Sequence, residues 1–363
     1  MQEKILNSLQ VILDTQHQEF DSIELKKNLK KIIYQLDPGP DSTCFVPPTE
    51  PDSFHVKQYA KKMFSQSIEK KLKELSTIHT GFHQLDKLMG GGLKNGELII
   101  LGGRPGMGKT TLLLSLIRNI LLEFQKPVYY LSTDDIATNI LKRLHAMIPG
   151  GRTRILEEEL DESTWDSYID TLKILEKLPL HIDDTHPVYI ERIMDASRWM
   201  KEQHGIRLIC IENLQSIHTD RTFRTRDLEL GYICSRLKGL ARELNIPILA
   251  ASHLSRQVEY RGGTKRPLLA DLRDSGNIEL EADKVLFLYR PEYYNIDVDE
   301  VGNSTIQLAE LALSKNRTGK TGTILLKRDA EFTRFNNFDK YTEDLNIRSR
   351  RLDDLEDDDN APF

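Results

Sequence analysis

Residues 103–110 of this chain, Gly103-Arg104-Pro105-Gly106-Met107-Gly108-Lys109-Thr110, fill every position of the pattern G-x-x-x-x-G-K-[ST]. The residue types have a common chemical use. Glycines permit positive-φ turns and let backbone N–H groups curl around phosphate oxygens, where a Cβ would obstruct. A helix beginning just after the loop adds its unpaired N–H groups and its dipole. Lys109 has the length to reach β- and γ-phosphates, the Thr110 hydroxyl can ligate Mg²⁺, and Thr111 continues the set. These residues are therefore expected to bind ATP with Mg²⁺.

Hydrolysis of such a ligand needs carboxylates close by, at the C-terminal ends of neighbouring strands. The run Arg207-Leu208-Ile209-Cys210-Ile211-Glu212 places an acid after an apolar strand, which makes Glu212 the candidate Mg²⁺ acid. The run Val128 to Asp135 ends in two adjacent acids, of which Asp134 is the candidate base and Asp135 an alternative. A third strand ends in Ala250-Ala251-Ser252-His253, so His253 can sense a γ-phosphate.

The elements that must position these residues follow from the pattern around them. From Thr80 onward, short apolar runs alternate with helical stretches, as in a mostly parallel sheet covered on both faces. Expected strands are Leu98–Gly102, Val128–Ser132, Leu180–Asp183, Leu208–Ile211, Ile248–Ser252 and Lys284–Tyr289. Two more, Ile306–Ser314 and Gly322–Lys327, form an expected C-terminal hairpin joined by Lys315–Thr321. Upstream, residues 1–36 read as a small helical segment and 37–53 as a Pro-rich linker. Residues 54–78 read as an amphipathic linker helix that packs either on its own domain or on a neighbouring subunit. The ATPase domain is expected over 79–340 and an acidic, disordered tail over 341–363.

Composition narrows the class. At 363 residues and 39% apolar content, the chain has material for one large α/β domain and an appendage. No apolar run approaches a membrane span, and the three cysteines show no metal or disulfide spacing. A cytoplasmic protein with no membrane contact is expected. The net charge of −6 is carried by the last eleven residues, which hold six acids and no base. A neutral body leaves room for a basic surface, so nucleic acid stays open as a partner.

Several further segments together resemble the ATPase domain of DnaB-type replicative helicases. They are Thr80-Gly81-Phe82-His83-Gln84-Leu85-Asp86, Ile211-Glu212-Asn213-Leu214-Gln215, Ser252-His253-Leu254-Ser255-Arg256, the run Lys265 to Gly276, and Lys315-Asn316-Arg317-Thr318-Gly319. The resemblance implies a RecA-like P-loop NTPase fold and ATP-driven, 5′→3′ translocation on single-stranded DNA as a homo-oligomer, a hexamer. It also implies that Lys315 and Arg317 reach a neighbour's nucleotide, and that Arg273, Asp274 and Gly276 grip DNA phosphates. Arg256, Arg261, Lys265 and Arg266 are placed to widen that grip into an electrostatic funnel.

Departures from the family are equally legible. Glu212 stands where this family has Asp and Asp134 where it has Glu, each exchange shifting a carboxylate by about 1.5 Å. An active but slow enzyme is expected. About 50 residues before the linker helix are too few for the family's N-terminal collar, which argues against a primase contact. The tail, ending Asp357-Asp358-Asp359-Asn360-Ala361-Pro362-Phe363, resembles the acidic tip of bacterial single-strand-binding proteins and offers a protein partner one aromatic ring and a carboxylate. Two alternatives remain: a RadA- or KaiC-like switch, favoured by Gly90-Gly91-Gly92-Leu93, and a nucleotide-gated DNA-binding scaffold with weak hydrolysis.

Overall fold

Strand β3 (Leu98–Gly103) is apolar and buried along its whole length, as a parallel strand covered on both faces must be. In the computed structural model, which describes residues 77–148, 162–299, 302–329, 331 and 333–338, β3 is the centre of the main sheet. The sheet has nine strands in the order β11-β10-β9-β8-β3-β7-β6-β4-β5. They are β4 (Val128–Leu131), β5 (Leu180–Asp183), β6 (Leu208–Ile211), β7 (Ile248–His253), β8 (Lys284–Tyr289), β9 (Leu308–Asn316), β10 (Gly322–Arg328) and β11 (Phe335–Asn337). Strands β8, β3, β7, β6, β4 and β5 pair in parallel, and β9, β10 and β11 extend that sheet antiparallel. A separate pair, β1 (Thr77–Ile78) and β2 (Leu93–Lys94), precedes it.

Alternation along each strand divides the core into two layers. Ile99, Leu101, Tyr130 and Cys210 face α1 (His83–Met89), α2 (Lys109–Phe124) and α3 (Ala137–Met147). Leu98, Ile100, Tyr129 and Ile209 face α5 (Ile190–His204) and α6 (Arg226–Leu244), together with α7 (Gln257–Tyr260) and α8 (Gly276–Glu281). Helix α4 (Glu162–Glu176) lies between α3 and β5 in the chain. Among the described residues, no helix is long and apolar enough to cross a membrane.

The start of the central strands is held by buried charge. Lys284, fully buried at the start of β8, pairs with Glu97 just before β3. Asp283 pairs with Lys238 of α6 and accepts from the Leu98 N–H at 2.8 Å. A buried ion pair has enough Coulomb attraction to offset desolvation only while both partners remain.

The eight expected strands are present within two residues at each end. Two differences have a physical cause. Thr77 and Ile78 form β1 instead of ending the linker helix, because Gly92 allows β2 to approach closely. A Cβ on Gly92 (φ +112°) would lie 2.2 Å from the Ile78 carbonyl oxygen. Lys315 lies inside β9 and not in the hairpin loop, since its pairing with Val285 extends that strand. The expected segments 1–36 and 37–53, residues 54–76 of the linker helix, and the tail 341–363 lie outside the described residues.

Replacing Lys284 with Met should cost about 3 kcal/mol of stability by stranding the Glu97 carboxylate, and adding Glu97→Leu should recover most of it. Chemical denaturation of the two variants checks this, and equal losses in both would show that the pair is not the anchor.

Candidate active site

Parallel register brings the strand ends level with one another. Gly103 lies opposite His253, and Ile211 lies opposite both Ala250 and Leu131. The residues that follow these positions therefore emerge along one edge of the sheet, as expected for the crevice of an open α/β sheet.

The loop from Gly103 to Gly108 folds as a phosphate cradle. Gly106 (φ +79°) and Gly108 (φ +94°) take conformations that L side chains avoid. Helix α2 starts at Lys109 with no side-chain cap and no acid in its first turn. Its first intrahelical bond, Leu112 N–H to Gly108 O at 2.9 Å, leaves the N–H groups of Lys109, Thr110 and Thr111 ahead of the ladder. The Lys109 ammonium donates to the Gly103 and Arg104 carbonyls at 2.8 and 3.2 Å. Burial, assisted by the nearby Arg104 charge, lowers its pKa to about 8. Such an arrangement of donors suits an anion.

The other P-loop residues have structural partners. Arg104 donates to Glu259 and to the Leu254 carbonyl at 2.8 and 2.9 Å, tying the loop to the segment after β7. Met107 is buried in the α2 layer, and Pro105 is exposed. Thr111 turns its hydroxyl to Arg143 of α3 at 3.1 Å, so only its backbone faces the loop.

Glu212 is buried, accepts from the Ser132 hydroxyl at 3.0 Å and is hydrogen-bonded to Thr110. Burial raises its pKa, and those hydrogen bonds oppose the shift. One hydroxyl and one carboxylate side by side suit a small hard cation that keeps several waters. Asp134 is exposed, yet its carboxylate is framed: Asn213 Nδ2 donates at 3.0 and 3.2 Å, and the Ser216 hydroxyl at 2.8 Å. Asp135 Oδ1 accepts from the Ile136 N–H at 3.0 Å and from Asn139 Nδ2 at 2.6 Å and so shapes the start of α3.

His253 Nδ1 lies 3.2 Å from the Lys109 ammonium. Burial and that positive neighbour lower its pKa, so the imidazole stays neutral with Nε2 carrying the proton. The His253 backbone N–H donates to Gln215 Oε1 at 3.0 Å, and Gln215 Nε2 donates to the Ser252 hydroxyl at 2.9 Å.

Lys315 and Arg317 sit elsewhere. Lys315 pairs with Val285, and Val285 with Ile100, while the Arg317 N–H donates to the Asp283 carbonyl. Lys315 is thus level with Ile100 and Arg317 with Leu98, and from those two positions to Gly103 a strand rises about 10 Å and about 17 Å. Neither residue serves its own P-loop. Residues 273–276 continue from a 3₁₀ segment (Leu269–Ser275) into α8, but their side chains lie outside the described residues, so the roles given to Arg273, Asp274 and Gly276 rest on sequence. Two cations of the expected basic funnel are paired with acids, Arg261 with Asp271 and Arg266 with Glu310, and Lys265 stands 5.1 Å over the Tyr294 ring.

A sequence profile of the DnaB-like helicase C terminal domain matches residues 77–337. This chain belongs to that family. A probable replicative DNA helicase of Trieres chinensis is 39% identical over 72% of this chain and 57% of its own length. The replicative DNA helicase DnaB of Buchnera aphidicola (subsp. Acyrthosiphon pisum) is 35% identical over 72% and 56%. The chain thus spans just over half the length of these curated relatives. Among solved structures, the ATPase domain of G40P matches with TM-score 0.67 at 28% identity, over 81% of this chain and 100% of that one. A DnaB-like replicative helicase solved for its interactions with primase matches with TM-score 0.67 at 26% identity, over 88% and 75%. The DnaB-like match fits the mostly parallel sheet and the nucleotide cradle seen here.

Some residues of this DnaB-like domain gain a role only from the structure. Asn213 and Gln215 are within a family motif, but their work depends on β6 lying between β4 and β7. Arg290 donates to the Gly106 carbonyl at 3.2 Å and the Tyr293 ring covers Gly106, contacts with no local sequence signal. The segment Thr80 to Asp86 is a structural lock, in which Asp86 accepts from the Thr80 N–H and hydroxyl at 2.9 and 2.8 Å.

Gly106→Ala would place a Cβ 2.9 Å from the Tyr293 ring on a positive-φ backbone. Nucleotide affinity should fall on the order of tenfold, measured with a fluorescent nucleotide. Unchanged affinity would show that this turn is not the cradle.

Proposed function

We propose that this chain is the motor of an ATP-driven DNA helicase that assembles as a homohexamer around single-stranded DNA and moves 5′→3′. ATP takes the P-loop cradle, and Mg²⁺ takes the Thr110 hydroxyl and Glu212 carboxylate beside it. Asp134, held by Asn213 and Ser216, is the base that orients the attacking water. His253 offers its Nε2 proton to the γ-phosphate, and Gln215 ties the His253 backbone to the β6 end. The observation that carries the reading is the separation of Lys315 and Arg317 from their own P-loop. Two cations set back along the sheet from their own cradle act on phosphoryl charge in a neighbouring subunit, which makes the site one shared between copies.

The DNA contacts of Arg273, Asp274 and Gly276, an acidic tail that docks a partner protein, and a cytoplasmic setting belong to the same proposal. So does the division into 1–36, 37–53, a linker helix ending before Thr77, the ATPase domain and the tail. Membership in the DnaB-like family does not favour the RadA- or KaiC-like switch.

Two outcomes test the reading. Lys109→Ala and Arg317→Ala subunits should each be inactive alone. Mixed equally, they should regain about a quarter of wild-type ATPase, because random assembly gives that share of interfaces two intact halves. A mixture as inactive as its parts would refute a shared site. Asn213→Ala should lower kcat on the order of tenfold with little change in KM, since it leaves the Asp134 carboxylate held by Ser216 without Asn213 and does not touch the cradle. Steady-state ATPase with a single-stranded oligonucleotide reads this, and a KM effect alone would reassign Asn213.

A further inference from the structure

Strand β9 is interrupted one residue before Lys315. Leu313 pairs with Leu286 and Lys315 with Val285, so Ser314 is an extra residue opposite the β8 ladder. Without it, Lys315 would share the face of Leu311 and Leu313, which point into the α2 layer. The bulge turns Lys315 to the face of Val285, in the layer of α6 and α8.

Helix α8 ends on that face. The last carbonyls of a helix lack partners within it and carry the negative end of its dipole. Ile278 O is taken by the Ala282 N–H at 3.1 Å. Glu279 O accepts from the Lys315 ammonium and Leu280 O from the Arg317 guanidinium. Arg317 Nη1 also lies 3.7 Å from Asp283 Oδ1, and its N–H donates to Asp283 O at 3.0 Å. Asp283 does not move freely, because Lys238 and the Leu98 N–H hold its other oxygen.

The cations read as acting on a neighbour are therefore occupied within their own subunit. We infer that Asp283 and the C-terminal carbonyls of α8 form a latch on Lys315 and Arg317, which DNA releases by displacing the segment 269–281. This rests on the trans-acting reading of that pair. A guanidinium bound to Leu280 O and Asp283 cannot also lie against a neighbour's phosphates, so the two placements compete. Helix α8 continues directly from the 3₁₀ segment that carries Arg273, so a ligand on that segment acts on the latch through one short stretch of backbone. The hold is modest, since the Arg317 side chain is 42% exposed and its ion pair is screened. Asp283 is a positioning residue in this scheme and touches no nucleotide.

The test is ATPase of the full chain with and without a single-stranded dT oligonucleotide. Asp283→Asn should raise the DNA-free rate on the order of fivefold, the scale of a screened, charge-assisted contact, and leave the DNA-stimulated rate near wild type. Because this change strands the buried Lys238, the double variant Asp283→Asn, Lys238→Gln is measured beside it, with thermal unfolding to confirm the fold. Adding Arg317→Ala to either should abolish the gain. A wild-type stimulation ratio in the folded double variant, or a fall in both rates, overturns the latch. Failure of the trans reading looks different: Arg317→Ala in the wild-type background would then keep its turnover.

Discussion

Strand β3 joins two ends of the molecule that carry opposite chemistry, and its parallel pairing with β7 and β8 governs both. At one end Gly103 lies opposite His253, which sets Lys109 beside the imidazole and opens the phosphate cradle. At the other, the Leu98 N–H is taken by Asp283, whose second oxygen faces Arg317. A slip of one residue would reverse every face of a strand buried on both sides, moving Leu98 and Ile100 into the layer of α2. The buried pairs Glu97–Lys284 and Asp283–Lys238 oppose that slip, because any shift would strand charge in the core.

Much of this was legible before folding was considered. The cradle is contiguous, its glycines have a local steric reason, and buried parallel strands are short apolar runs bounded by helical patterns, so β3 to β8 could be located from residue types alone. Glu212 and Asp134 were identifiable because acids after such runs emerge at the crevice. What could not be read is what depends on strand order and register. Nothing local says that Asn213 meets Asp134, that Gln215 bridges to His253, or that Tyr293 covers Gly106. The bulge at Ser314 is invisible as well, since Leu313-Ser314-Lys315 reads as an ordinary strand end until β8 is beside it. The short strands β1, β2 and β11 are set by close approach and by edge pairing instead of periodicity.

The exchanged carboxylates also make sense together. Glu212 is the longer acid, buried and tied to Ser132 and Thr110, in the position of a fixed cation ligand. Asp134 is the shorter one, open to solvent but held by three hydrogen bonds from Asn213 and Ser216. Reach on one side and orientation on the other offset the loss of one methylene. We read the pair as a working site whose speed depends on how well that frame holds.

The central claim is that one nucleotide site is built from two subunits, with Lys315 and Arg317 passing from α8 to a neighbour's phosphates. A structure of the assembled chain with a non-hydrolysable ATP analogue, Mg²⁺ and a single-stranded oligonucleotide tests it most directly. The account predicts Arg317 within hydrogen-bond distance of the adjacent subunit's γ-phosphate, with Leu280 O no longer its partner. Nucleotide in every cradle with Arg317 still on Leu280 O and Asp283 would contradict it.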